Sequence, residues 1–159
     1  MSKKVFLSIF FGLLLGITSV TEAQDLIMGY VLVEYYDGIA GSTIDDLQNS
    51  SIFPSDATEV VWLESFETPS NRAENYGTRV GGYLIPPETG EYTFRIASDD
   101  ASELWLSPDD TYEAAVRIAF VPSWARPRQW DKDENQRSAP IELVVGQKHY
   151  IKDIRNYVV

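Results

Sequence analysis

The chain has 159 residues, with 13 Lys and Arg against 24 Asp and Glu, one His, no Cys and a formal net charge of −11. That length fits one domain of ordinary size, or one domain plus a targeting segment, and 44% hydrophobic residues are enough to build a core. The acidic balance argues against nucleic-acid partners and anionic membrane surfaces. The missing Cys removes disulfides, thiolate metal sites and Cys nucleophiles, and the lone His149 removes multi-His zinc sites.

Lys3 and Lys4 precede an apolar run from Val5 to Val20, and Thr21-Glu22-Ala23 supplies small residues before a cut. This is the layout of a secretory signal peptide over 1–23, giving a mature domain over 24–159. A membrane anchor would need about 20 apolar residues and a basic stop-transfer cluster. The expected product is therefore secreted, at the cell surface or in a periplasm, with no membrane insertion after cleavage. Calcium is plentiful in such compartments.

The rest of the chain alternates apolar and polar residues in short runs broken by Gly, Pro, Asn and Asp, which predicts an all-β antiparallel sandwich or barrel. Ile27–Tyr36 reads as a first strand closed by Asp37-Gly38. Thr43–Leu47 reads as one helical turn capped by Ser42 or Thr43, with Asp45 and Asp46 in its first turn. Glu59–Phe66 is β-rich. Thr78–Ile85, a Pro86–Gly90 turn and the alternating Tyr92, Phe94 and Ile96 predict an antiparallel hairpin. Glu103–Ser107 and Ala114–Val121 read as strands. Ile141–Val145, Gly146-Gln147 and His149–Ile154 predict a closing hairpin. Between them, Pro122–Ser138 is a long polar loop with Trp124 and Trp130, of the kind that is either functional or a packed flap.

Ser98-Asp99-Asp100 separates two strands. Adjacent carboxylates repel, so two explanations stand: a solvated turn, or convergence on a hard cation such as calcium. Consecutive side chains on an ordinary strand point to opposite sides, so convergence requires a sharp bend or a cis peptide. Asp45-Asp46, Asp109-Asp110 and Asp131/Asp133/Glu134 read as solvated faces. Trp130 and Trp124 suit stacking on a sugar ring, or pinning the loop. His149 reads as structural. No Gly-x-Ser-x-Gly, phosphate-cradling loop or His pair is present, so no catalytic residue is assigned.

A set of words then carries a resemblance. They are Tyr35-Tyr36-x-Gly-Ile, Glu67-Thr-Pro-Ser-Asn71, Asn75-Tyr-Gly-Thr-Arg-Val80, Gly82-Tyr-Leu-Ile-Pro-Pro-Glu-Thr-Gly-Glu-Tyr-Thr-Phe94, Ile96-Ala-Ser-Asp-Asp100, Glu103-Leu-Trp-Leu-Ser107 and Gln136-Arg-Ser-Ala-Pro-Ile141. From about Gly29 to about Ile154 the chain resembles the anthrax protective antigen-like domain family. The resemblance implies a secreted β-barrel or sandwich found in adhesins, glycosidases, proteases and toxins. In its lectin members two adjacent aspartates joined by a cis peptide hold calcium, which coordinates sugar hydroxyls, while a second loop supplies an amide and backbone oxygens. Asp99 and Asp100 match the pair. The second loop falls in Trp124–Ser138, whose amides are Gln129, Asn135 and Gln136. The expected function is calcium-dependent carbohydrate binding, with Asp99 and Asp100 on the ion and Trp130, Gln136 and Trp124 on the ligand. The partner is a cell-surface or extracellular glycan, and the domain is non-enzymatic or accessory to a carbohydrate-active enzyme. The alternative is a structural or adhesion module without bound sugar. Family members usually continue past Tyr150 into a glycine-rich turn and another strand, so the resemblance also implies a domain truncated at its C-terminus, with an open edge.

Overall fold

The computed structural model describes residues 29–158 except residue 71. The expected signal peptide, 1–23, lies outside the described residues. The elements in chain order are β1 (Val31–Asp37), α1 (Ile44–Gln48), β2 (Glu59–Leu63), β3 (Tyr76–Leu84), β4 (Gly90–Tyr92), β5 (Ser102–Leu106), β6 (Val116–Val121), a 3-10 turn (Glu134–Gln136), β7 (Ile141–Leu143) and β8 (His149–Tyr157). Six strands form one antiparallel sheet in the order β2-β1-β3-β8-β5-β6, and β4 pairs with β7 in a separate small sheet. The architecture is all-β, as the alternation predicts.

Alternate residues of a strand face opposite sides, and antiparallel partners share a side. One side of the large sheet carries Val33, Tyr35, Tyr76 and Val80, which pack with Leu63 and Tyr157. Further along the same side, Leu104, Ala119 and Val121 pack under Ile96 and Ala125, with Phe94 and Ala97 beside them. The opposite side presents Tyr36 and Ile154 to Ile39 and Leu47, with Ile44, Ile52 and Phe53 around them. α1 sits here because Thr43 caps it. The Thr43 hydroxyl accepts from the Asp46 amide, and the Asp46 carboxylate accepts from the Thr43 amide, closing a capping box. Gly77 on β3 makes the room: a Cβ there would stand 2.3 Å from Leu47 Cδ1.

Two expected hairpins are replaced by other pairings. Tyr92–Ile96 does not return along β3, because β3 is bonded along its length by β1 on one side and β8 on the other. The 92–96 segment pairs instead with the end of the long loop. The Phe94 carbonyl accepts from the Ser138 amide (3.0 Å), and the Ile96 amide donates to the Gln136 carbonyl (3.0 Å). The closing hairpin likewise fails, because β7 belongs to the small sheet while β8 inserts between β3 and β5. Gly146, with φ of 75°, turns the chain between them. β1 starts at Val31, with residues 29 and 30 outside the strand; the first residues of the expected strand, 27 and 28, lie outside the described residues. β8, the last described strand, is interior to the sheet, and the sheet's edges are β2 and β6.

Candidate functional site

β5 is the anchor of the site. Ser98, Asp99 and Asp100 lead into it, and their backbone is clamped from two directions. From the long loop, the Ala125 amide donates to the Ser98 carbonyl (2.6 Å), and Asp99 forms a two-residue bridge with Trp124. From β8, the Asn156 carbonyl accepts from the Asp100 amide (3.2 Å), and the Asn156 amide donates to the Ala101 carbonyl (3.1 Å). The buried Ser98 hydroxyl links the Asp100 carbonyl (2.7 Å) and the Ser102 hydroxyl (2.5 Å). The Asp99–Asp100 peptide is cis.

Within that frame the two carboxyl groups are near enough to act on one another. Partial burial raises the Asp99 carboxyl above its ordinary range, and the negative charge of Asp100 and a hydrogen bond shared with it raise it further; Lys132 pulls it the other way. Asp100 also accepts from the Val158 amide (3.1 Å). Two hard oxygen donors that repel each other in a fixed frame fit a divalent cation. Among the described residues no third His, Cys, Asp or Glu joins them, so further ligands would be amide or backbone oxygens.

The long loop is ordered by its own polar groups. Gln136 is 0% exposed. Its amide nitrogen donates to the Ile96 carbonyl (2.8 Å) and the Gln129 carbonyl (2.7 Å), and its oxygen accepts from the Asp133 amide (2.8 Å). The structure therefore makes Gln136 an internal post of the loop, not a side chain presented to a ligand. The Gln129 oxygen is engaged by the Arg126 amide (3.2 Å). Asn135 donates its amide nitrogen to Asp133 (2.7 Å), while its oxygen takes part in no hydrogen bond among the described residues.

Behind Asp99 lies a cavity of about 750 Å3 between the large sheet and the loops. Asp99 and Trp130 line it together with Phe94, Asp153, Arg155 and Tyr157. Trp130 is 40% exposed. Trp124 (44% exposed) is outside this lining; the Lys132 ammonium sits 3.1 Å from its ring centroid and donates to its carbonyl (2.7 Å). Asp100 and Gln136 are also outside the lining. His149 is buried with Nδ1 3.0 Å from the Ser107 carbonyl, a structural position as its strand pattern predicts.

Sequence reasoning missed Lys132, Asp153 and Arg155. The last two had a visible signal: Ile151, Asp153, Arg155 and Tyr157 alternate on β8, placing two charges on the inward side of an interior strand.

Comparison with known proteins agrees with the fold. The family model described as the PA14 domain matches residues 31–153. An N-acetyl-beta-glucosaminyl-glycoprotein 4-beta-N-acetylgalactosaminyltransferase 1 of Mus musculus is 31% identical over 131 residues, covering 78% of this chain and 12% of the transferase. Fibrocystin-L of Mus musculus is 30% identical over 98 residues, 62% of this chain and 2% of that protein. The chain thus spans a small part of the curated relatives it matches. The Epithelial Adhesin 9 A domain from Candida glabrata, solved in complex with Galb1-3GlcNAc, superposes with a TM-score of 0.53 at 13% identity, covering 80% of this chain and 75% of that one, a likeness of fold. The matched family model, the motifs from Tyr35 to Ile141 and the antiparallel sheet agree: the chain belongs to the PA14 domain family, the anthrax protective antigen-like fold.

Proposed function

We propose that this chain is an exported, non-catalytic carbohydrate-binding module that grips a glycan through a calcium ion held by Asp99 and Asp100. The observation that carries this is the pair of adjacent carboxylates whose backbone is clamped by the long loop and by β8, with Asp99 on the lining of an aromatic-lined cavity. When bound, the ion would offer coordination positions to neighbouring sugar hydroxyls. Asp99 and Asp100 supply the charged oxygens. Asn135 is the loop amide whose oxygen takes part in no hydrogen bond among the described residues, and so it, in place of Gln136, is the amide the loop offers to the site. Trp130 gives the ring an apolar face. The fold-level neighbour solved with Galb1-3GlcNAc supports a glycan partner, and the transferase relative supports an accessory role beside a carbohydrate-active domain.

No helix among the described residues is long and apolar enough to cross a membrane. Export rests on the Lys3–Ala23 pattern.

A glycan array probed with calcium and again with chelator tests this reading. Signals that appear with calcium and vanish with chelator support it. Flat signals under both conditions would leave a structural or adhesion module without bound sugar.

A further inference from the structure

The large sheet has two edges, and they are not alike. β6 is shielded: its ladder with β5 bulges between Leu104 and Trp105, and the 3-10 turn at Glu134–Gln136 packs against it. Bulges and covering loops keep an edge from meeting another chain. β2 has neither. It pairs with β1 in unbroken register from Glu59 to Leu63, and among the described residues no strand takes its other side. Its residues, Glu-Val-Val-Trp-Leu, include no Pro or Lys to blunt the edge. Val61 and Leu63 turn to the packed side of the sheet, against the cluster of Val33, Tyr35, Tyr76 and Val80. Val60 and Trp62 turn to the other side and stay 54% and 40% exposed.

The strand is its own complement. Laid antiparallel about a two-fold axis at Val61, Val60 of each copy falls opposite Trp62 of the other, an aromatic and β-branched pair on either side of the axis. Glu59 falls opposite Leu63, and Glu64 opposite Thr58, so no acid opposes an acid. Glu59 is moreover already paired with Arg72 (2.7 Å). Such a contact uses the same patch on both copies and consumes both open edges, so association stops at two.

We infer that two copies of this chain join edge to edge through β2, centred on Val61, as one continuous antiparallel sheet. The dimer depends on neither calcium nor sugar. Where the carbohydrate reading above holds, the dimer is bivalent. β5, which follows the Asp99–Asp100 turn, lies four strands from β2, so the two ion sites stand on opposite flanks, roughly 40 Å apart at about 4.8 Å per strand.

Analytical ultracentrifugation over a concentration series tests this, in calcium and in EDTA, at physiological salt so that the net charge of −11 is screened. Wild type is expected to show a monomer–dimer equilibrium that EDTA does not move, with nothing larger. Val60→Lys/Trp62→Lys and Val60→Glu/Trp62→Glu change exposed side chains only, and each variant alone should be monomeric, because like charges then stand opposite. Mixed in equal amounts, the two should dimerise again, since each lysine then opposes a glutamate. If a double variant does not fold, Val60→Lys alone should weaken the dimer about tenfold. A wild type that stays monomeric throughout overturns the inference. So does a dimer that survives in the folded variants, or a mixture that stays monomeric. Species that grow past two would mean that β2 meets β6 of the next copy, and would overturn the two-fold contact.

Discussion

Replacing Gln136 with Ala separates a loop post from a ligand. The wild-type side chain makes three hydrogen bonds inside the protein, to the Ile96 and Gln129 carbonyls and from the Asp133 amide. Each contributes about 1 kcal/mol net, so their joint loss costs about 3 kcal/mol, and the void left by a fully buried side chain adds to that. A loss of that size lowers the thermal midpoint of a domain this long by roughly 10 °C. The damage should also reach the site, because the bond from Gln136 to Ile96 ties the loop three residues upstream of Asp99. Urea unfolding of wild type and Gln136→Ala measures the first effect, and calcium titration of both measures the second. Stability should fall steeply, with ligand binding falling only as far as the loop loosens. A Gln136→Ala chain as stable as wild type but unable to bind would refute the reasoning and return Gln136 to the ligand set.

Other consequences follow from the packing and the charges. Gly77→Ala sets a methyl 2.3 Å from Leu47 Cδ1 and 2.8 Å from Cδ2. It should therefore destabilise wild type by about 1–3 kcal/mol, yet be neutral or stabilising in a Leu47→Ala background. An equal cost in both backgrounds, measured by urea midpoint, would mean that the two residues do not compete for the same space. The Asp46 carboxyl lies below its ordinary range, because the Thr43 hydroxyl and amide bond to its charged form. Its contribution is present above the unfolded-chain carboxylate range and is lost as pH falls through the lower folded value. The stability gap between wild type and Asp46→Asn should accordingly shrink on acidification, and a gap constant with pH would contradict the assignment.

The strands were legible because each carries its own alternation. Leu104 and Leu106 turn inward and Glu103 and Trp105 less so, as their spacing predicts. The α1 cap was legible because Thr43, Asp45 and Asp46 act within one turn. Pairing was not, since a ladder is chosen by distant partners. β8 takes both β3 and β5, which strips the 92–96 segment of its apparent neighbour and the 141–154 segment of its hairpin. In the loop, the family resemblance offers Gln136 as a ligand amide, and only burial reveals that it is used internally. Trp124 and Trp130 read alike in sequence; in the structure Trp130 lines the cavity, while Trp124 stands outside it under Lys132. Asp153 and Arg155 drew no notice because local alternation does not say that an inward face borders a cavity.

The most direct measurement is scanning calorimetry of EGTA-treated wild type, Asp99→Asn and Asp100→Asn with added millimolar calcium. An ion present at a hundred times its dissociation constant stabilises the folded chain by about 2.7 kcal/mol. The wild-type midpoint should therefore rise by several degrees while both variants stay still. A wild-type midpoint indifferent to calcium would contradict the metal at this pair of carboxylates.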